Sequence, residues 1–271
     1  MAIGITTNLP SLNAQNSLSG TQKALGNTLS ELSSGQRSST TNPASTILIE
    51  QFAAQIAGSN QARSNLNDGI SLTQVADGAL ESLQDNTQRI RELSVAAGND
   101  TLSSQDRSAI QEEANQLALS NSDIVKNSSF NGQPLLQGQG NLNFQAGANA
   151  GDQLSISRPD LTQLNSSSGQ INLSSAASAG QALSRLDSDL ASVSSARSDY
   201  GAVSNRLTAS AANLQNRAEN LSAAKSRIAD TDYAASTANL AQQQIRAQAN
   251  TAAQAQANAS PQQVLSLLKS T

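Results

Sequence analysis

Histidine and cysteine carry most covalent chemistry at neutral pH, and this chain of 271 residues has neither. Zinc sites built on imidazole and thiolate, serine triads and thiol nucleophiles therefore lack their material. Without Cys, no disulfide braces the fold. Carboxylates remain, and Glu112 and Glu113 stand side by side. Neighbouring residues on a helix do not face a common point, so this pair reads as a solvated face and not as a convergent acid and base. Neither a phosphate-cradling loop nor a dinucleotide fingerprint is present. The expectation is a chain with no catalytic residue, no metal ligand and no cofactor, hence not an enzyme.

Binding chemistry is narrowed in the same way. A net charge of −4 leaves no electrostatic footprint for nucleic acid, and two Tyr with three Phe make no stacking platform. No apolar run approaches the ~18 residues of a membrane span. The opening residues "MAIGITTNLPSLNAQ" lack the basic and continuous apolar regions of a secretory signal peptide, so cytoplasmic residence or export by another route is expected. Leu, Ile and Val must supply any core, because aromatics are 2% of the chain. Elongated helices that bury narrow stripes suit this composition better than a compact globule.

Side-chain spacing says where those helices lie. Leu186, Val193, Tyr200, Leu207, Leu214, Leu221 and Ile228 recur at intervals of seven, with Leu183, Leu190, Arg197, Ser204, Ala211, Ala218 and Lys225 at the companion positions. A repeat this long specifies coiled-coil packing. From about Ala179 to Asp230 it predicts a rod of ~75 Å at 1.5 Å per residue. Upstream partners are Ala76, Leu80, Leu83, Thr87, Ile90, Ser94 and Ala97, preceded by Ile49, Phe52, Ile56, Leu66 and Ile70. "GND" at 98–100 stops that helix, and Ser103 with Asp106 caps the next, which carries Ile110, Ala114, Leu117, Asn121 and Ile124. Asn131–Gly132 is a turn signal, "NLNFQA" and "QLSIS" alternate as hairpin strands, and "LNSSSGQ" at 164–170 reads as a flexible connection.

The two ends share an unusual chemistry. Between Arg246 and Lys269 there is no charge, and Ala238, Ala241, Ile245, Ala249, Ala252, Ala255 and Ala259 recur at helical spacing. Before Glu50 the charges are Lys23, Glu31 and Arg37, beside a stripe of Leu18, Leu25, Leu29 and Leu32. Such helices are too polar for a core and too uncharged for open solvent. The fold class expected is mainly α: a long antiparallel coiled-coil helical rod with a small β-hairpin region, plus paired terminal helices.

At this point the sequence resembles bacterial flagellin. The matching pieces are "LSSG" at 32–35, "NDGISLTQVADGAL" at 67–80, "QRIRELSV" at 88–95, "FNGQPLL" at 130–136, "SRIADTDYA" at 226–234 and "AQANASPQQVLSLL" at 255–268, in the family's order. The resemblance implies an inner terminal domain from residues 1–43 and 231–271, and a rod domain of 44–139 and 179–230 with a short hairpin part at 140–178. The variable outer domains common in the family are missing from this short form. It implies a structural subunit that polymerises with itself into the flagellar filament for motility. The inner helices carrying Leu18, Leu25, Leu29, Leu32, Ile245, Ala249, Ala252 and Ala259 then pack against other copies. It further implies secretion through the flagellar type III apparatus without a cleavable signal. An export chaperone would hold Val264, Leu265, Leu267 and Leu268, and the filament cap and hook-associated proteins are further partners. Recognition by host Toll-like receptor 5 carries over to Arg89, Leu93 and Glu113.

The sequence also departs from the family. "SSTTNPASTILI" stands at 38–49 where "NSAKDDAAGLAI" is common, Ala96 replaces a usual Gln, and the chain ends "LLKST". The alternatives are a hook–filament junction protein, which shares the terminal pattern, and a secreted coiled-coil binding or signalling protein, which would form an oligomer of fixed size.

Overall fold

The computed structural model describes residues 8–37 and 43–269. Its elements run α1 (Leu9–Ser34), α2 (Pro43–Ala97), α3 (Ser104–Asn127), β1 (Ser129–Phe130), β2 (Gln133–Pro134), β3 (Gly140–Gln145), β4 (Gln153–Arg158), α4 (Ala176–Ala229) and α5 (Tyr233–Lys269). They form two units. A terminal unit draws on both ends, up to Ala54 and from Leu221 onward, and a central unit spans Gln55–Asn220. Among the described residues no helix is long and apolar enough to cross a membrane.

Within the central unit α2 and α4 run antiparallel, as their ion pairs show: Arg91 Nε meets Asp187 at 2.7 Å and Arg197 Nε meets Asp77 at 2.9 Å. Their heptad faces meet. Leu186, Val193, Tyr200 and Leu207 are sealed from solvent together with Leu66, Leu80, Leu83 and Ile90. The hydroxyls of Thr87 and Ser94 reach this interior by donating to carbonyls one turn back, Leu83 O at 2.7 Å and Ile90 O at 2.8 Å. α2 ends at Ala97, where the buried Arg107 guanidinium donates to Ala97 O, and to Asn99 O at 2.7 Å. Charge at a helix C-terminus answers the orphan carbonyls and the dipole together. Ser103 and Asp106 close a reciprocal capping box at the start of α3.

Two hairpins follow α3. β1 and β2 are joined through Asn131 (φ 51°) and Gly132 (φ 77°), the paired left-handed residues of a tight hairpin turn. This minimal ladder delivers Leu135 and Leu136, both sealed in the core. In the second hairpin Leu142 pairs with Ile156 and Phe144 with Leu154, so one face of β3–β4 lies on the core. The loop beyond it packs onto bare backbone: a Cβ placed on Gly58 of α2 would come within 2.6 Å of the Ala148 Cβ.

The segment 164–170, expected to be a flexible connection, is fixed. Asp189 of α4 is buried, and its carboxylate accepts from the backbone N–H of Asn165 at 3.2 Å and of Ser166 at 2.6 Å. Gln111 of α3 grips the stretch after it, donating to Ile171 O at 2.8 Å and accepting from Leu173 N at 2.6 Å. Ser and Asn fit here because small polar residues expose their backbone amides to an inward-facing carboxylate.

Candidate functional site

The terminal unit holds two helices, α1 and α5, each built from poor core material. Asn8 caps α1 by accepting from Ser11 N, and Gly35 ends it in the left-handed conformation (φ 69°), its N–H donating to Glu31 O at 2.8 Å. A short bridge, Gln36 with Asp230, then ties the end of α1 to the end of α4. Asp232 starts α5 by accepting from Ala235 N at 3.1 Å.

α1 and α5 lie antiparallel along a seam that steps by three and four. On α1 the shielded positions include Ser11, Ala14, Leu18, Thr21, Leu25, Thr28 and Leu32, and on α5 Ser236, Leu240, Gln243, Ala247, Asn250, Gln254 and Ala257. Polar side chains meet across it. Asn8 Nδ2 donates to Ala257 O at 2.8 Å, Ser11 Oγ to Asn258 Oδ1 at 2.6 Å, and Asn250 Nδ2 to Thr21 Oγ1 at 3.0 Å. Thr28 Oγ1 sits 3.1 Å from the Gln243 side-chain amide.

The other faces of these helices are bare in the single chain. Leu29 is 51% exposed and Ile245 67% exposed. Ala249 and Ala252 are exposed and Ala259 is half-buried. Leu9, Leu12, Ile47, Leu48 and Tyr233 are exposed on the same unit. The residues expected to assemble therefore divide: Leu18, Leu25 and Leu32 close the seam within the chain, while Leu29, Ile245, Ala249 and Ala252 look outward. Val264, Leu265, Leu267 and Leu268 fall within α5, but their side chains lie outside the described residues.

The heptad residues change environment along α4. Leu186, Val193, Tyr200, Leu207 and Leu214 are buried, whereas Leu221 and Ile228 are half-buried. Tyr200 donates its hydroxyl to Leu135 O at 3.0 Å, and burial pushes its pKa up to about 12, with Arg158 pulling the other way. On another face of the central unit Arg89 of α2 spans to α3, its Nη2 2.8 Å from Glu113 Oε1, while Nη1 meets Glu92 at 2.9 Å. The hydrogen bonds Arg89 donates to Glu113 first, and then to Glu92, raise its pKa. Leu93 points inward from the same turn and is buried.

Comparison with known proteins decides the family. The profile described as bacterial flagellin N-terminal helical region matches residues 5–141, and the flagellin C-terminal helical region matches 183–268. The flagellin of Halalkalibacterium halodurans is 37% identical over 270 residues, 98% of this chain and 99% of that one. The chain belongs to the bacterial flagellin family. This flagellin is a structural subunit of the extracellular flagellar filament, in a short form comparable in length to that relative. The crystal structure of Bacillus cereus flagellin is similar at a TM-score of 0.52 and 26% identity, covering 60% of this chain and 94% of that one. A putative flagellar hook-associated protein from Vibrio parahaemolyticus shares the fold at a TM-score of 0.59 and 14% identity, covering 70% of this chain and all (100%) of its own. Two features of this flagellin escaped sequence reasoning: the carboxylate of Asp189 and the polar α5 face of Gln243 and Asn250. The second had a signal, since that face keeps the spacing of Leu240.

Proposed function

We propose that the terminal unit makes the subunit contacts of the filament, with Leu29 on α1 and Ile245, Ala249 and Ala252 on α5 meeting neighbouring copies. Leu18, Leu25, Leu32 and Ala259 hold the helix pair that presents them. One observation carries this reading: among the described side chains of the terminal unit Ala229 is the one buried apolar residue, while Leu29 and Ile245 lie half or more exposed. An Ala methyl contributes under ~1 kcal/mol on burial against ~1.5–3 for Leu. One copy therefore gains little from these helices, and contacts repeated along a polymer accumulate. In this reading residues 1–43 and 231–271 form the inner terminal domain, and 44–139 and 179–230, with the short hairpin part at 140–178, the rod domain.

The same reading assigns the chain no chemical step. It leaves the cell unfolded through the flagellar type III apparatus, guided by an export chaperone on Val264, Leu265, Leu267 and Leu268, and it assembles between hook-associated proteins and the filament cap. Host Toll-like receptor 5 would meet Arg89 and Glu113, with Leu93 supporting them from beneath. Electron microscopy of the full chain after salt-induced assembly tests the central claim. Filaments of open-ended length are expected, and an oligomer of fixed size would favour a secreted coiled-coil binding protein instead.

A further inference from the structure

We propose that the side-chain ladder between α1 and α5 is a pairing code, which selects α5 as the partner of α1 and sets their register. Its rungs share one chemistry. Ser11, Thr21 and Thr28 each bring a short hydroxyl from α1, and Asn258, Asn250 and Gln243 each bring a longer carboxamide from α5, at 2.6, 3.0 and 3.1 Å. Two copies of α5 would set carboxamide against carboxamide and crowd. Two copies of α1 would set hydroxyl against hydroxyl and leave a gap.

The apolar layers cannot make this choice. Leu25 lies between the two inner rungs and faces the Ala247 layer, and a methyl accepts many neighbours. A slip of seven residues one way sets Leu32 on Ala247 and Leu25 on Gln254, while the other sets Leu25 on Leu240 and Leu18 on Ala247, still apolar. The two inner rungs lie seven residues apart on both helices, so each slip keeps one of them and loses the other. The first slip sets Thr28 on Asn250 but carries Gln243 past the end of α1 at Gly35 and sets Thr21 on Ala257; the second sets Thr21 on Gln243 but Asn250 on Ala14. The second leaves the shielded Asn250 amide without a partner, which costs more than the bond itself gave, and the first forfeits the Gln243 bond to solvent. One polar seam residue is known to fix register in coiled coils by this means. The Gln36–Asp230 bridge ties one end of the pair, but both residues are exposed, so breaking it exposes nothing new.

The absence of Cys from the chain makes the test clean. In the full chain, Leu25→Cys with Ala247→Cys reports the native register, and Leu25→Cys with Gln254→Cys reports a slip. Ala247→Cys alone reports α5 pairing with α5 of another copy. Each is oxidised with the ladder intact and with Thr21, Thr28, Gln243 and Asn250 all changed to Ala. Alanine favours helix, so helicity should hold. The native cross-link is expected to fall about tenfold relative to the other two, the change set by losing one or two net hydrogen bonds. Exchanging the rungs (Thr21→Asn with Asn250→Thr, and Thr28→Gln with Gln243→Thr) should restore it. An undiminished native cross-link in the Ala variant, or no recovery on exchange, would overturn the code. The proposal deepens the assembly reading of this unit, so seeded elongation is scored separately. A variant that keeps its native cross-link yet fails to elongate counts against the code and leaves that reading standing.

Discussion

The central and terminal units use the same spacing of three and four and reach opposite results. In the central unit the seam residues Leu80, Leu83, Ile90, Leu186 and Leu207 are completely shielded. In the terminal unit the seam alternates Leu18, Leu25 and Leu32 with Ser, Thr and Ala, and all three leucines stay half-buried. The difference is side-chain volume and cover. Around α2 and α4 the layers are closed by α3 and both hairpins, with Val125, Leu135, Leu136 and Ile156 in the same core, whereas Leu on Ala between α1 and α5 leaves an open rim. Periodicity thus places the faces, and residue size together with the elements packed on them decides whether they are covered.

The sharpest way to break the comparison is Ala252→Glu. On the outward face of α5 a carboxylate is harmless in the free chain, but buried against a neighbouring copy it would lack a partner, at a cost of several kcal/mol. The expected result is unchanged melting of the free chain and no elongation from seeds; normal elongation would show this face open to solvent in the filament. Leu207→Ala should do the reverse. Leu207 packs 3.4 Å from the position a Gly69 side chain would take. Denaturant titration of the unpolymerised chain should show a loss of ~2–5 kcal/mol, against almost none for Leu29→Ala.

A smaller effect is expected at Asp189. Replacement by Ala strips the acceptor from the Asn165 and Ser166 amides, costing ~1–3 kcal/mol, and hydrogen exchange at Ser166 should quicken while the α1–α5 amides do not change. The smallest is at Tyr200. Its folded pKa of about 12 lies above the ordinary 10.0, so the folded state holds its proton more tightly. The stability linked to it is complete below pH ~10 and is lost as pH climbs towards 12. Denaturation at pH 9 and pH 11 should show a drop of about 1 kcal/mol that Tyr200→Phe removes.

What the sequence made legible follows the same division. The heptad run through Leu214, the stop at Gly98 and the cap at Ser103 could be placed because large apolar residues and strong backbone signals left few alternatives. The hairpin turn at Asn131–Gly132 was legible for the same reason, since both residues must accept positive φ. Asp189 was not, because one carboxylate on a helix looks like any solvated charge until the facing amides are known. "LNSSSGQ" was misread on composition: the small polar residues that make a linker supple are also those that let a backbone lie against Asp189 and Gln111. On α5, Ala and Gln carry so little hydropathy contrast that the outward stripe of Ala249 and Ala252 stood out, while the seam through Gln243 and Asn250 did not. Arg89, Leu93 and Glu113, and the C-terminal leucines, entered through family likeness, because nothing in their spacing names a partner.

The rungs between α1 and α5 join residues 215, 229 and 247 positions apart along the chain, whereas the turn at Asn131–Gly132 joins near neighbours. Closing a loop costs more entropy as it lengthens, and distant contacts form late in folding. Hairpins and capped helices of the middle can therefore order within microseconds to milliseconds of collapse. The two ends must wait until that middle has drawn them within reach. Time, as well as energy, separates the parts of this molecule: the ends are the last to find each other and the first to let go.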